Sequence, residues 1–123
     1  MNRFVWKLVV TVLVVPLLLT GAAKTAFAAE LVMFESDSCE WCEIWNKQIG
    51  LVYAKTSEGK FAPLRRVDIS DDLPADLKKL KSARFTPTFV VIDQGREVGR
   101  ILGYPGEAHF WALLEELVGK LPR

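Results

Sequence analysis

The stretch "SDSCEWCEIW" (Ser36 to Trp45) carries both cysteines of this 123-residue chain. Cys39 and Cys42 are separated by Glu40 and Trp41. A pair at this spacing serves as a structural staple, as part of a metal site or as a redox centre. A bond between them closes a tiny loop and takes little entropy from the unfolded chain, so a staple here would stabilise little. Exported domains that depend on disulfides usually carry several, joining distant segments. Structural zinc requires four ligands, and beyond the pair the chain offers a single histidine, His109, in its last expected helix. We read His109 as a surface or packing residue and expect no metal. A Cu(I) carrier using Cys39 and Cys42 alone stays open, because thiolates suit Cu(I).

The residues around the pair favour redox chemistry. "ELVMFES" (Glu30 to Ser36) reads as a buried strand, and Asp37 and Ser38 as helix caps, with Glu40 three residues after Asp37. Cys39 then falls at a helix start, where free N–H groups and the helix dipole favour a thiolate. Cys42 lies one turn further in and should be more buried. That asymmetry suits exchange, with Cys39 attacking a partner disulfide and Cys42 resolving the mixed disulfide. Trp41, Ile44, Trp45, Gln48, Ile49 and Val52 follow a helical spacing, and Gly50 is placed to break it before a second short helix in "LVYAKTSEGK".

Further elements follow in order. "APLRRVDI" (62–69) reads as a second strand, and "SDDLPADLKKLK" as a helix with Leu73, Leu77 and Leu80 on one face. "TFVVID" (88–93), a "QG" turn and "REVGRILGY" read as a hairpin. "EAHFWALLEELVGK" is a final helix with Phe110, Leu113, Leu114 and Leu117 inward. The order is β-α-β-α-β-β-α. Alternation over the first three strands predicts parallel pairing there.

The N-terminus reads separately. "MNRFVWK", the 13-residue uncharged run Leu8 to Thr20, and Ala26-Phe27-Ala28 form the three parts of a secretory signal, with cleavage after Ala28 or Ala29. The alternative is a retained anchor, but Lys7 and Pro16 interrupt the apolar stretch and it falls short of about 20 residues. We therefore divide the chain into a signal peptide over 1–28 and a domain over 29–123, exported to the periplasm. Losing Arg3, Lys7 and Lys24 takes 16 basic residues to 13 against 15 acidic ones. Nothing in that balance points to nucleic acid. Lys78, Lys79, Lys81 and Arg84 read as a solvated face.

"RFTPTFVV" (84–91) supplies a second motif, with Thr86-Pro87-Thr88 at the entry to the third strand, where proline is tolerated. With the cysteine pair after the first strand, the chain over roughly residues 30–119 resembles the thioredoxin superfamily. The resemblance implies an α/β, thioredoxin-like fold trimmed at its N-terminus, with a mixed four-stranded sheet flanked by helices. It implies a cis bond before Pro87, which would lie against the cysteines, and a backbone contact from Thr86 to an incoming peptide. Trp41 is expected to contact the partner, with helix packing as the alternative.

More narrowly, "LVMFESDSCEWCEIWNKQIG", "APLRRVDI", "RFTPTFVV" and "GREVGRILGYPGE" are similar to the SoxS group, periplasmic thioredoxin-like proteins of bacterial sulfur-oxidation (Sox) systems. That resemblance implies a reductant of the sulfur carrier SoxY. It also implies an inner-membrane thiol transporter as electron donor. We expect no cofactor and a monomer. A general or cytochrome-maturation reductase is the alternative, although such relatives usually carry a longer N-terminal hairpin and an anchor.

The chain departs from the thioredoxin pattern at several positions. Met33 stands where a buried Asp helps the second cysteine lose its proton, and the associated basic residue falls at about Leu64. Ser38 replaces a tryptophan, and Glu40-Trp41 replaces Gly-Pro. Glu35 or Glu43 is a candidate substitute for the missing acid, although solvated carboxylates would look the same. Glu35, Asp37, Glu40 and Glu43 place four acids and no base within nine residues. Negative charge near Cys39 disfavours its thiolate and makes the dithiol a better reductant.

Overall fold

The computed structural model describes residues 29–122. The signal peptide expected over 1–28 lies outside the described residues. Four strands, β1 (Ala29–Glu35), β2 (Leu64–Asp68), β3 (Thr88–Asp93) and β4 (Arg96–Leu102), form one mixed sheet in the order β2-β1-β3-β4. β1 is central and apolar on both faces. Leu31 and Met33 join the larger core with Trp45, Tyr53, Phe89, Phe110 and Leu114. Val32 and Phe34 point oppositely, into a smaller core with Val67, Leu77, Leu80, Val90 and Ile92. This is the period-2 logic of a strand buried on both faces.

β1 and β2 are parallel, in register from Leu31↔Leu64 to Glu35↔Asp68. The parallel pairing expected for the third strand is not found, because β3 runs antiparallel to β1. β2 ends opposite Glu35 and β3 begins opposite Phe34, so the connection leaves and returns at one end of the sheet. A parallel strand would require return to the far end. β3 and β4 form the expected hairpin, turned by Gln94 (φ 50°) and Gly95 (φ 78°), with a register shift at Val91/Ile92.

Helices α1 (Glu40–Trp45), α2 (Ser57–Phe61) and α3 (Glu107–Val118) are the α-helical elements among the described residues. α1 widens into a π-helical segment, Asn46–Gly50, and ends at the glycine expected to break it. Trp45 and Ile49 are buried as the spacing implies, whereas Trp41 and Val52 are exposed. α3 buries Phe110, Leu114 and Val118, one row spaced by four, and leaves Leu113 outside it, contrary to expectation.

The helix expected over "SDDLPADLKKLK" is a single 3-10 turn, Ala75–Leu77. Pro74 precedes it in an extended conformation and no side chain caps it, so a helix this short lacks a favourable start. Successive three-residue turns, Leu77 N–H to Pro74 O and Leu80 N–H to Leu77 O, both 2.9 Å, still bring Leu77 and Leu80 to the same side. The lysines around them are exposed, as expected. Arg65 fastens this turn to the sheet, bonding Asp76 at 2.5 and 2.9 Å and Glu30 at 3.4 Å.

Between α1 and β2 the chain is packed tightly around Tyr53. Its hydroxyl donates to Ala62 O at 2.7 Å, and its ring stacks on Trp111 with centroids 6.1 Å apart. Thr56 caps α2 by accepting from Gly59 N–H at 3.0 Å. A Cβ at Gly59 would lie 1.8 Å from Tyr53 O, so only glycine fits. Burial, and secondarily Glu58, push the Tyr53 hydroxyl far above its ordinary pKa of 10.0. A raised folded-state pKa means that the fold retains a proton the unfolded chain releases. The associated stability is complete below about pH 10 and is lost as pH rises beyond it. The urea midpoint is therefore expected to fall between about pH 10 and 12, and more shallowly in Tyr53→Phe. Equal slopes in the two proteins would remove Tyr53 as the cause.

Candidate active site

The end of β1 delivers the chain into a turn closed by Cys39 N–H to Ser36 O at 3.3 Å. Cys39 then occupies the N-cap of α1, with extended backbone angles (φ −92°, ψ 97°), and its Sγ accepts the Cys42 N–H at 3.1 Å. A short polar acceptor at this position satisfies one of the free donors at the helix start, so the sequence places a sulfur atom where an anion is stabilised. The two cysteines are joined in a disulfide, with Cα atoms 5.1 Å apart. Cys39 is 7% exposed and Cys42 3%, in the order expected.

The second motif reaches the same end of the sheet through β3. Thr88 lies opposite Phe34, and the Ser36 and Thr86 hydroxyls share a hydrogen bond at 3.0 Å across 50 residues of sequence. The Thr86–Pro87 peptide bond is cis, and Pro87 O accepts Gly103 N–H at 2.8 Å. The Ser36 bond thus sets Thr86 and Pro87 beside the turn that leads to Cys39. Trp41 projects from α1 at 56% exposure and Phe85 precedes Thr86 at 50%, giving the site an apolar rim. His109 lies exposed on α3.

Under the pair, Met33 is fully buried. A thioether neither gives nor takes a proton. Opposite it in register stands Arg66, not Leu64, which pairs with Leu31. Arg66 approaches Met33 Sδ at 3.6 Å, donates to Glu35 at 2.6 Å and to Asn46 Oδ1 at 2.8 Å, and lies 5.8 Å over the Trp45 ring. Sequence reasoning missed Arg66. Its signal was the Arg65-Arg66 doublet within a strand, which must send one guanidinium to each face. The expectation of four acids without a base is corrected accordingly. Glu35 is paired, while Asp37, Glu40 and Glu43 are exposed and form no ion pair among the described residues.

Residues 21–117 match the thioredoxin-like domain model. The chain belongs to the thioredoxin-like family. It is 42% identical to the periplasmic thioredoxin SoxS of Paracoccus pantotrophus, solved in its reduced form, over 74% of this chain and 96% of that one, with a TM-score of 0.71. Thioredoxin 2 of Pseudomonas aeruginosa, also in its reduced form, is 25% identical over 76% and 82%, with a TM-score of 0.52. A thioredoxin mutant from Halobacterium salinarum shares the fold at 21% identity over 77% and 79%, with a TM-score of 0.57. No curated protein matches the chain. With its CxxC pair, this thioredoxin-like protein is a thiol-disulfide oxidoreductase similar to periplasmic SoxS, and thioredoxin-like proteins act on protein disulfides.

Proposed function

We propose that the protein is a periplasmic reductase of partner-protein disulfides, with a SoxY-type sulfur carrier as its partner. The observation that carries the reading is Cys39 at a helix start, three residues after Ser36, whose hydroxyl is bonded to that of Thr86. The 42% identity to a periplasmic SoxS over nearly all of that chain supports the compartment.

In the dithiol form, the Cys39 thiolate attacks one sulfur of the partner disulfide. A mixed disulfide forms and the partner's other sulfur leaves as a thiolate, which takes up a proton. The Cys42 thiolate then attacks Cys39 Sγ and releases the second partner thiol. Two electrons pass to the partner, and the Cys39–Cys42 disulfide remains. A dithiol donor, an inner-membrane thiol transporter in this reading, restores the reduced form by the reverse exchange. Trp41 and the Thr86-Pro87 backbone hold the partner segment over Cys39. Met33 offers no acceptor for the Cys42 proton, so that role falls to Glu35, held by Arg66 on the α1-covered side of the sheet.

The three exposed acids oppose the Cys39 thiolate and so favour reduction of the partner. The reduction potential, titrated against glutathione, is expected near the thioredoxin value of about −270 mV. A value near the DsbA figure of about −120 mV would overturn the reductant assignment.

A further inference from the structure

One groove among the described residues has no part in the chemistry above. It has a volume of about 780 Å3 and lies between the segment Lys81–Phe85 and β4, whose Glu97, Arg100 and Leu102 stand opposite Ile92, Val90 and Thr88. β4 is an outer strand of the sheet. Phe85 and Leu102 line the groove and are 50% and 60% exposed. Both adjoin the active site. Phe85 directly precedes Thr86, and Leu102 pairs with Thr88 and precedes Gly103, whose N–H binds Pro87 O. The groove therefore begins beside the Thr86-Pro87-Thr88 segment.

Its walls are basic. Lys81, Arg84 and Arg100 line it with Glu97 as the one acid. Arg100 is bonded to Glu97 and also donates to Lys81 O at 3.2 Å. Lys81 and Arg84 are exposed and form no ion pair among the described residues. Asp37, Glu40 and Glu43, which flank the cysteines in the chain, are likewise unpaired and exposed, and none of them lines the groove. Acid therefore gathers at the start of α1 and base along the groove. Unpaired like charges on one side penalise a reversed partner, while opposite charges on the other side fix its orientation.

We propose that the groove takes an acidic segment flanking the target cysteine of the partner protein, with an apolar residue between them on Phe85 and Leu102. The proposal rests on the reductase reading and names its substrate class. Complementarity of this kind acts on orientation and encounter, and it is screened by salt.

The test uses the reduced protein and two synthetic peptides. Each carries one cysteine as a mixed disulfide with thionitrobenzoate, followed by an apolar residue and then by either four aspartates or four lysines. Cys39 attacks the peptide sulfur and releases coloured thionitrobenzoate. Cys42 then frees the peptide thiol, leaving the protein disulfide. At low salt the aspartate peptide is expected to react about fourfold faster, as two exposed ion pairs worth a factor of about two each would give. The preference should disappear in 1 M salt, where the screening length is about 3 Å, and should invert in the Lys81→Glu, Arg84→Glu double variant. Equal rates at low salt, a preference for lysine, or a preference that survives in the double variant would overturn the groove assignment. If neither peptide reacts, the cysteine reading itself fails and the groove falls with it.

Discussion

Cys39→Ser is expected to bring disulfide reduction down to background, a loss on the order of 10⁴-fold or more, as for removal of other enzymatic nucleophiles. The thiolate is the attacking species, and a serine hydroxyl at the α1 N-cap would still accept the Cys42 N–H without becoming an anion near neutral pH. The fold should therefore survive while the chemistry stops. Cys42→Ser separates the two roles. Cys39 would still attack, but nothing would release the partner, so the mixed disulfide should accumulate. Non-reducing electrophoresis of extracts from cells expressing each variant reads both results. Capture by Cys42→Ser of a protein other than a SoxY-type carrier would reassign the partner. Equal capture by the two serine variants would overturn the assignment of Cys39 as nucleophile.

Trp45→Ala carries the largest expected loss of stability. The indole is fully buried and meets Phe89, Phe110 and Tyr53 at centroid distances of 5.1, 5.7 and 6.2 Å. It also backs the Arg66 guanidinium. Truncating a buried aromatic of this size costs about 4 kcal/mol. That is a large share of the roughly 5–15 kcal/mol available to a domain, and lowers Tm by about 20 °C. Trp45→Phe should cost much less, because its ring keeps most of these contacts. It also removes an indole N–H that has no hydrogen-bond partner among the described residues. Thermal melts of both variants, taken in the disulfide form, decide the matter. An alanine variant that melts with the parent would show that the ring cluster does not organise this core.

Features set by local chemistry were legible in the sequence. The β-branched run of β3 and the Gln94-Gly95 turn were readable as local patterns, whereas the placing of Thr86-Pro87 against the cysteine pair came from the resemblance to thioredoxins alone. The direction of β3 was not legible, because strand direction depends on which end of the sheet the Ile69–Pro87 connection returns to. The 3-10 turn at Ala75–Leu77 reads as a helix because Leu73, Leu77 and Leu80 follow the α-helical spacing, while Leu77 and Leu80, three apart, fit a 3-10 turn equally well. The pairing of Glu35 with Arg66 was invisible for a different reason. The two residues are 31 positions apart and meet only through the β1–β2 register. Four acids counted along the chain therefore overstated the charge at the site.

Met33 has a consequence beyond proton transfer. A carboxylate at that depth would have to be desolvated each time the chain folds, a penalty of several kcal/mol without full compensation. Catalytic groups held in such surroundings are a recurrent source of conflict between activity and stability. Here the buried position is filled by a thioether, and the charges stand nearer the surface, with Glu35 paired to Arg66 and Asp37, Glu40 and Glu43 exposed. The core beneath the disulfide is thus free of ionisable groups at this position, and its packing is indifferent to pH there. The charge that Glu35 and Arg66 carry is thereby kept outside the interior, although the Arg66 guanidinium still packs on Met33 and Trp45.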